Sequence, residues 1–467
     1  RTQLLPPPHA SPPPAMDMSK LDLKGVNTEV FGEANPFGDP MWYHAFNNPG
    51  YYNETHKKLR QVMRDFVEEE IMADVHDLDE KQEVPVELIR KVGATGLLPM
   101  LCGRPWPKKL VGDNPLGFEP DYFHELVLID EFARCGSGGI LWGVAGGLAI
   151  GLPPVVKWAT PEVQKRVVPD VAAGKKIICL AITEPTAGSD VGQIKTTAVR
   201  QGDHYVVNGE KKWITNGVVA DFFTVAVRTG TQEEGMKAVS LMLLERTMPG
   251  LSTRKMKCSG AWSSGTAYVT FEDVKVPVGN LIGKENQGFK MIMANFNHER
   301  FVLCAMTNRF SRVCLEEALK FANKRKTFGK LLVQHDVIRW KLAEMARLVE
   351  STHAWLESVA YQMNTMTPME ATLKLGGITA LLKVQCTKTF EYCAREAAQI
   401  FGGLSYTRGG QGEKVERLCR EVRAMAIPGG SEEVMLDLGV RQQKKLGEMA
   451  KMYGDMLLPK GAPEGNL

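Results

Sequence analysis

The spacing of apolar residues changes twice along this chain of 467 residues, and this change constrains the fold more than any other feature. In residues 51–174 the spacing is helical, as in "HKKLRQVMRDFVEEEI". Short β-rich runs broken by turn residues occupy residues 176–283, and long amphipathic helices return over residues 286–452. This order predicts an α+β protein with an N-terminal α-helical domain, a middle antiparallel β domain and a C-terminal four-helix bundle.

We place the domain boundaries where the spacing changes. The opening residues, "RTQLLPPPHASPPPAM", are rich in proline and typical of a linker. The predicted units are a Pro-rich extension or linker (1–48), the N-terminal helical domain (49–176), the middle β domain (177–284), the C-terminal helical bundle (285–455) and a tail (456–467).

Charge and cysteine content exclude several classes of function. The 57 basic and 54 acidic residues leave a net charge of +3, so no nucleic acid partner is expected. The nine cysteines are scattered without a CxxC spacing, which favours reduced thiols inside a cell, and no HExxH motif or other metal-binding pattern is present. The longest charge-free run, residues 135–156, contains Pro153-Pro154, and we predict a buried helix there rather than a membrane span.

One carboxylate falls among the apolar residues of the first long helix in the C-terminal region. Phe296 and Leu303 belong to a stripe with helical spacing that begins at Phe289, and Glu299 lies on the same face. From the spacing alone two explanations are equally good. Glu299 is either a buried structural residue paired with an arginine or a base whose pKa is raised by burial.

Two polar segments of the β domain could hold a cofactor. In "LAITEPTAGSDV" the hydroxyls of Thr183, Thr186 and Ser189 lie at short spacing in a turn, suited to bonding a polar cofactor edge or a phosphate. In "NGEKKWITNG" we expect Trp213 and Thr215 to alternate on a strand and share one face, and Asn208-Gly209 to form a hairpin turn. A polar turn beside a packed tryptophan would explain any one of these residues alone.

Together these segments resemble the acyl-CoA dehydrogenase family. The resemblance covers residues 51–452 and includes "AWSSGTAYVTFEDVKVP", "NKRKTFGKLLVQHDVI", "AAQIFGGLSY" and "IPGGSEEV", each in its expected place. It implies a flavoprotein oxidoreductase of fatty acid β-oxidation that binds FAD between the β domain and the C-terminal bundle. The expected substrate is an acyl-CoA, and the expected assembly is a homodimer or homotetramer.

The same resemblance assigns residues to the cofactor. Trp213 would lie against the flavin, Thr215 would bond its reactive edge, and Thr183 would lie nearby. Ser189 would contact the pyrophosphate, and Ser431 of "IPGGSEEV" would also contact FAD. The residues expected to reach FAD from a neighbouring subunit are Arg325, Phe328, Gln399, Gly402 and Gly403.

The family's reaction removes an α-proton with a carboxylate base while a hydride leaves the β-carbon for the flavin. Many members keep this glutamate in the last loop, where the present chain has Gly429. In members that resemble isovaleryl-CoA and long-chain acyl-CoA dehydrogenases the base lies on the first long helix of the bundle, which matches Glu299. We therefore expect Glu299 to be the base, the Gly429 N–H to donate to the thioester oxygen, and Arg300 to lie on the CoA side.

Two alternatives remain at this point, the second of them from another class of protein. A flavin-dependent oxidase or monooxygenase on the same fold would pass electrons to oxygen instead of to an electron-transfer flavoprotein. A non-enzymatic relative that binds nucleic acid would need a basic patch, which the charge balance disfavours. The resemblance favours the mitochondrial matrix or the peroxisome, and the sequence does not fix the length or branching of the acyl chain.

Overall fold

The computed structural model describes residues 31–32, 35–41, 43 and 50–453. Most of the predicted Pro-rich extension and the whole of the predicted tail, 456–467, lie outside these residues. Within the predicted extension, however, Phe31, Asp39 and Tyr43 are buried. Asp39 accepts hydrogen bonds from Arg60 and Arg309. This part of the predicted linker is therefore packed against the helical domains, because the Asp39 carboxylate is held by Arg60 and by the buried Arg309.

The N-terminal region is helical, as predicted. Its helices begin at side chains suited to capping, such as Asn53 and Asp121, whose oxygens accept backbone N–H groups of the first turn. His56 and His124 complete a capping box at these two helices. The helices are α1 (Glu54–Val67), α2 (Val75–Lys81), α3 (Val86–Ala94), α4 (Lys108–Val111), α5 (Tyr122–Ala133), α6 (Gly138–Leu141), α7 (Gly147–Trp158) and α8 (Pro161–Ala172).

Helices α6 and α7 form one apolar helical run, joined by a π-turn at Trp142–Gly146. Gly138–Trp158 is the one helix among the described residues that is long and apolar enough to cross a membrane. Its most apolar window is 78% buried inside the fold. The prediction of a buried helix in this charge-free run is confirmed.

A single eight-stranded sheet forms the middle region. Its order is β6-β7-β3-β2-β4-β5-β8, with β1 on β4. Most pairs are antiparallel, as predicted, but β1 and β2 both run parallel to β4. The strands are β1 (Ile178–Ala181), β2 (Thr197–Gln201), β3 (His204–Ile214), β4 (Phe222–Arg228), β5 (Val239–Glu245), β6 (Leu251–Lys255), β7 (Ala267–Pro277) and β8 (Leu281–Ile282).

The predicted hairpin turn at Asn208-Gly209 is wrong. Both residues lie inside β3, where the pairing with β7 shifts register between Val207 and Gly209. Gly209 has a φ of +142°, and a Cβ there would lie 2.6 Å from Thr196 Oγ1. Gly209 is thus required by a β-bulge and by the close approach of Thr196. Glycine serves both bulges and turns, and the sequence alone does not distinguish the two.

Long helices return in the C-terminal region, which confirms the helix, sheet and helix order. Four of its helices exceed 20 residues and a fifth, between the last two, has 14. A short hairpin, β9 (Lys326–Thr327) and β10 (Lys330–Leu331), separates the first two. The helices are α9 (Gly288–Ala322), α10 (Asp336–Thr365), α11 (Pro368–Phe401), α12 (Glu413–Ala426) and α13 (Glu432–Tyr453). One continuous hydrophobic core joins all three regions.

Candidate active site

Glu299 lies in the fourth turn of α9. The residue is partly buried, and its Oε2 atom is covered and has no hydrogen-bond partner. No ion pair to this carboxylate is found in the part of the chain that the structure describes, so the structural explanation of a Glu299–arginine pair is not supported. Burial raises the pKa of Glu299 to about 7, although the nearby Arg300, His298 and Lys383 oppose the rise.

Gly429 belongs to the loop between α12 and α13, which we call the last loop (residues 427–431). Its φ is +67°, a left-handed conformation. A Cβ built on Gly429 would lie 4.0 Å from Glu299 Oε1 and 2.7 Å from Leu303 Cδ1. Two positions 130 residues apart, on a helix and on a loop, therefore converge on one point. Leu303 already fills the space next to it.

Arg300 is buried at 6% exposure. Its Nε donates to the Gly429 carbonyl at 2.8 Å, and its Nη1 donates to Asn297 Oδ1 at 3.0 Å. Arg300 is therefore not a plain surface arginine, and its predicted position on the CoA side stays a prediction. In this structure Arg300 ties α9 to the last loop beside Glu299.

Lys383 on α11 also contacts the last loop and was missed by the sequence analysis. Its Nζ donates to the carbonyl of Gly430 at 2.8 Å and to that of Ala426. The available signal was a single lysine in the apolar run "ITALLKVQC". Such a run predicts burial but does not show which carbonyls the ammonium group will meet.

The predicted flavin residues of the β domain come together at the end of β3. The backbone N–H of Lys212 donates to the Thr183 carbonyl at 2.9 Å, which brings Trp213 close to the segment of Thr183 and Ser189. The Trp213 ring is 50% exposed, and Ser189 is exposed in the turn after β1. An exposed indole close to the polar segment that begins at Thr183 fits a planar, polar cofactor such as FAD.

The predicted alternation of Trp213 and Thr215 on one strand face is wrong. Trp213 has a φ of +60°, and the β3–β7 pairing shifts register between Lys211 and Ile214. The strand ends at Ile214, so Thr215 lies in the following turn. The bulge breaks the period of two on which the prediction depended.

A buried ion pair between Lys211 and Glu184 holds the end of β3 against the segment that contains Thr183. Lys211 is 0% exposed, and its Nζ donates to Glu184 Oε1 at 2.8 Å and to the Ile182 carbonyl at 2.9 Å. Glu184 also accepts the backbone N–H groups of Lys195 at 2.5 Å and Thr196 at 3.0 Å. Sequence analysis did not single out either residue, because a Glu–Lys pair 27 residues apart has no local signature.

The five residues predicted to reach FAD from a neighbouring subunit lie at the opposite end of α9. Phe321 and Phe401 stack with 4.3 Å between ring centroids, which brings the loop after α9 to the end of α11. About 23 residues of α9 separate Glu299 from this end, or roughly 35 Å at 1.5 Å per residue. The exposed residues here are Arg325, Phe328 (97% exposed), Gln399, Gly402 and Gly403.

The surface at this end of α9 is open to a ligand or to another chain. A Cβ placed on Gly402 or Gly403 meets no atom within 4 Å, so the paired glycines leave the backbone open to close approach. The distance to Glu299 excludes these residues from the site formed by Glu299 of the same chain. Ser431, by contrast, lies beside Gly429 at the start of α13, where its carbonyl accepts the Met435 N–H.

Comparison with known proteins covers all three regions of the fold. Three family models match in order: acyl-CoA dehydrogenase N-terminal domain at residues 53–175, middle domain at 179–274 and C-terminal domain at 286–444. Acyl-CoA dehydrogenase AFT10-1 of Alternaria alternata is 40% identical over 423 residues, which are 89% of this chain and 97% of that protein.

Two further relatives agree. The mitochondrial short-chain specific acyl-CoA dehydrogenase of Rattus norvegicus is 31% identical over 82% of this chain and 88% of its own. The crystal structure of a probable acyl-CoA dehydrogenase from Mycobacterium abscessus superposes with a TM-score of 0.77 and 33% identity, covering 84% of this chain and all of that one. The chain therefore belongs to the acyl-CoA dehydrogenase family of FAD-dependent flavoprotein oxidoreductases.

Proposed function

We propose that this chain catalyses the FAD-dependent α,β-dehydrogenation of an acyl-CoA thioester to the 2-enoyl-CoA, with Glu299 as the base. The observation that carries the proposal is the 4.0 Å between Glu299 Oε1 and a Cβ built on Gly429. Gly429 stands where many family members keep their base. In this chain Glu299, on α9, takes the place of that base. One carboxylate is therefore available to the α-carbon of the substrate, as in those members.

The environment of Glu299 suits the removal of a weakly acidic proton. The α-proton passes to the carboxylate, the electrons of that C–H bond form the new double bond, and a hydride leaves the β-carbon. When bound, FAD supplies the acceptor for this hydride. Burial raises the pKa of Glu299 to about 7, so near neutral pH the group is both deprotonated in part and a stronger base than a solvated glutamate.

The last loop contributes a donor for the thioester oxygen. The Gly429 N–H donates no hydrogen bond to the described part of the chain, while its carbonyl accepts from Arg300 Nε. A backbone N–H fixed in this way stabilises the negative charge that develops on the oxygen as the α-proton leaves. Arg300 lies on the side of the loop that we assign to CoA.

The assignment of the base is tested with Glu299→Gln in FAD-loaded protein. The amide keeps the shape of the side chain but cannot take the proton, so acyl-CoA turnover should fall by about 10²- to 10⁴-fold while acyl-CoA still binds. Glu316→Gln, on the same helix but ion-paired with Lys320, is the matched control and should keep full turnover. Wild-type turnover in Glu299→Gln would refute the assignment.

We also propose that FAD is bound between two chains. The exposed Arg325, Phe328 and paired glycines, about 35 Å from Glu299, support this arrangement because they cannot serve the site of their own chain. Arg325→Met should lower FAD content after gel filtration and reduce the oligomer mass measured by light scattering. The neighbouring Lys324→Met should change neither, and normal FAD affinity in a monomer would contradict the proposal.

The acceptor and compartment follow from the same assignment. We propose an electron-transfer flavoprotein as the electron acceptor, with oxygen as the alternative, and mitochondria or peroxisomes as the compartment. The rat relative is named as mitochondrial, which supports the first compartment. Reoxidation of the reduced protein by air as fast as by an electron-transfer flavoprotein would favour an oxidase.

A further inference from the structure

The last loop has little intrinsic rigidity, yet its carbonyl groups are individually held. Gly429 and Gly430 are consecutive glycines with φ values of +67° and +101°. Pro428 fixes its own φ, but glycine populates such angles freely, so the glycine pair does not itself select one conformation. The conformation of the pair is therefore set by groups outside it.

Those groups are two cations on two other helices. Lys383 of α11 donates to the carbonyls of Ala426 and Gly430, one at each end of the loop, and Arg300 of α9 donates to the carbonyl of Gly429 between them. Ala426 is the last residue of α12, where an unpaired carbonyl and the helix dipole both favour a positive charge. The Lys383 residue is 1% exposed, so water cannot replace these bonds.

We propose that Lys383 is a positioning residue for the reaction: by binding both ends of the last loop it holds the Gly429 N–H toward the thioester oxygen beside Glu299. This inference rests on the proposed function, because it assigns the N–H a substrate. Lys383 itself touches no reacting atom. It acts through the backbone of the loop.

The charges around Lys383 show why an ammonium group is tolerated there. Burial lowers the pKa of Lys383 to about 8, while the neighbouring Cys304, Glu432 and Glu299 favour its charged form and Arg300 disfavours it. Below that pH the positive charge opposes the rise in the Glu299 pKa. Removing Lys383 should therefore raise the pKa of Glu299 as well as free the loop.

A matched control lies five residues further along α11. Lys388 is 59% exposed and pairs with Glu432 at 3.5 Å, at the start of α13 rather than in the last loop. Lys388→Met removes the same ammonium group from the same helix without releasing a loop carbonyl. Differences between Lys383→Met and Lys388→Met thus report the contacts with the loop.

The test measures deprotonation separately from hydride loss. In a 3-thia-acyl-CoA a sulfur atom replaces the β-methylene, so no hydride can leave, and exchange of the α-hydrogens with deuterium oxide reports the base and the oxyanion donor alone. Lys383→Met in its FAD-loaded form should exchange about 10²- to 10³-fold more slowly than Lys388→Met, as expected for loss of one oxyanion donor. Thioester affinity and FAD content should match the control, whereas the melting temperature should be lower, because two carbonyls lose their buried donor.

The pH profile adds a measurement that a purely structural role would not change. The midpoint of exchange against pH should move upward in Lys383→Met and remain unchanged in Lys388→Met. If Lys383→Met does not fold, Lys383→Gln is compared with Lys388→Gln, since an amide can still donate to one carbonyl. Equal exchange rates and equal midpoints in a pair with equal FAD content would overturn the inference.

The same experiment separates this inference from the proposed function. Exchange by wild-type protein that Glu299→Gln abolishes supports the function, and equal rates in the two lysine variants would then reject only the role of Lys383. Exchange at the wild-type rate in Glu299→Gln would reject the proposed function itself, and the role of Lys383 with it.

Discussion

Glu184 and Glu299 are both carboxylates within the fold, but their neighbours differ. Glu184 accepts hydrogen bonds from Lys211 Nζ and from two backbone N–H groups, whereas Glu299 Oε2 accepts none. Burial alone would raise the pKa of Glu184, yet Lys211 and the backbone donors hold it below its ordinary value. For Glu299 burial prevails and the pKa rises to about 7.

The comparison shows that burial does not decide the role of a carboxylate. A buried charge whose bonds are complete is a fixed part of the scaffold, here the support beneath Thr183 and Trp213. A buried carboxylate with an incomplete set of bonds costs stability and is retained where its reactivity is used. Four experiments test this difference, from the largest expected effect to the smallest.

Breaking the complete pair should cost the most stability. Glu184→Gln leaves Lys211 buried with an uncompensated charge, so the free energy of unfolding in urea should fall by about 3–5 kcal/mol. FAD retention should weaken as well, because the segment of Thr183 loses its support. Glu344→Gln, whose carboxylate pairs with Arg347 in solvent, is the control and should be unchanged. Unaltered stability in Glu184→Gln would contradict the proposed difference between Glu184 and Glu299.

Glu299 and Glu184 should change the stability of the fold in opposite directions as the pH rises. Glu299 has an ordinary pKa of 4.5 and a folded pKa of about 7, so between these values the folded chain keeps a proton that the unfolded chain has lost. Raising the pH through this window therefore lowers stability, by up to about 3 kcal/mol. In Glu299→Gln this decrease should be smaller, which urea unfolding at pH 5 and pH 8 would show; Glu421, whose pKa burial also raises to about 7, contributes the part that remains.

Glu184 supplies the opposite sign in the same measurement. Because its folded pKa is lowered, its contribution is present above pH 4.5 and is lost as the pH falls below that value. Unfolding curves of Glu184→Gln should therefore approach those of the wild type in acid. Parallel curves at every pH would show that the two groups do not differ as described.

The rate should follow the protonation state of Glu299. A general base acts when deprotonated, so kcat/KM should rise about tenfold per pH unit below about pH 7 and level off above it. Steady-state rates of the FAD-loaded protein between pH 5 and pH 9 provide the measurement. A flat profile across this range would mean that another group removes the proton.

Moving the base across the 4.0 Å gap should restore only part of the rate. Glu299→Gly with Gly429→Glu places a carboxylate on the last loop, but the new Cβ would meet Leu303 Cδ1 at 2.7 Å in a left-handed backbone. Leu303→Ala is therefore added to make room. This triple variant should be roughly tenfold faster than Glu299→Gly with Leu303→Ala, because a misplacement of ~1 Å costs about 10²-fold.

No gain in the triple variant, with FAD and thioester bound normally, would contradict the convergence of the two positions on one substrate carbon. A gain accompanied by a changed chain-length preference would sharpen the comparison. It would show that the location of the carboxylate, and not the helix that carries it, defines the base.

The order of helical and β regions was predictable from sequence because it depends on local periodicity. The same periodicity exposed Glu299, since a carboxylate in an apolar stripe is a local anomaly. Failures occurred where local signals have two meanings: Gly209 serves a bulge instead of a turn, and a second bulge removes Thr215 from the strand face. Lys383 and Glu184 were missed because their roles depend on partners far away in sequence.

The length of α9 has a consequence for genetics. This helix carries Glu299 near its beginning, and its far end leads to Arg325, roughly 35 Å away. Under the proposed pairing of chains, each complete site takes one end from each of two subunits. Two inactive alleles, Glu299→Gln and Arg325→Met, would then complement each other when co-expressed, since half the sites of a mixed pair receive an intact version of both ends.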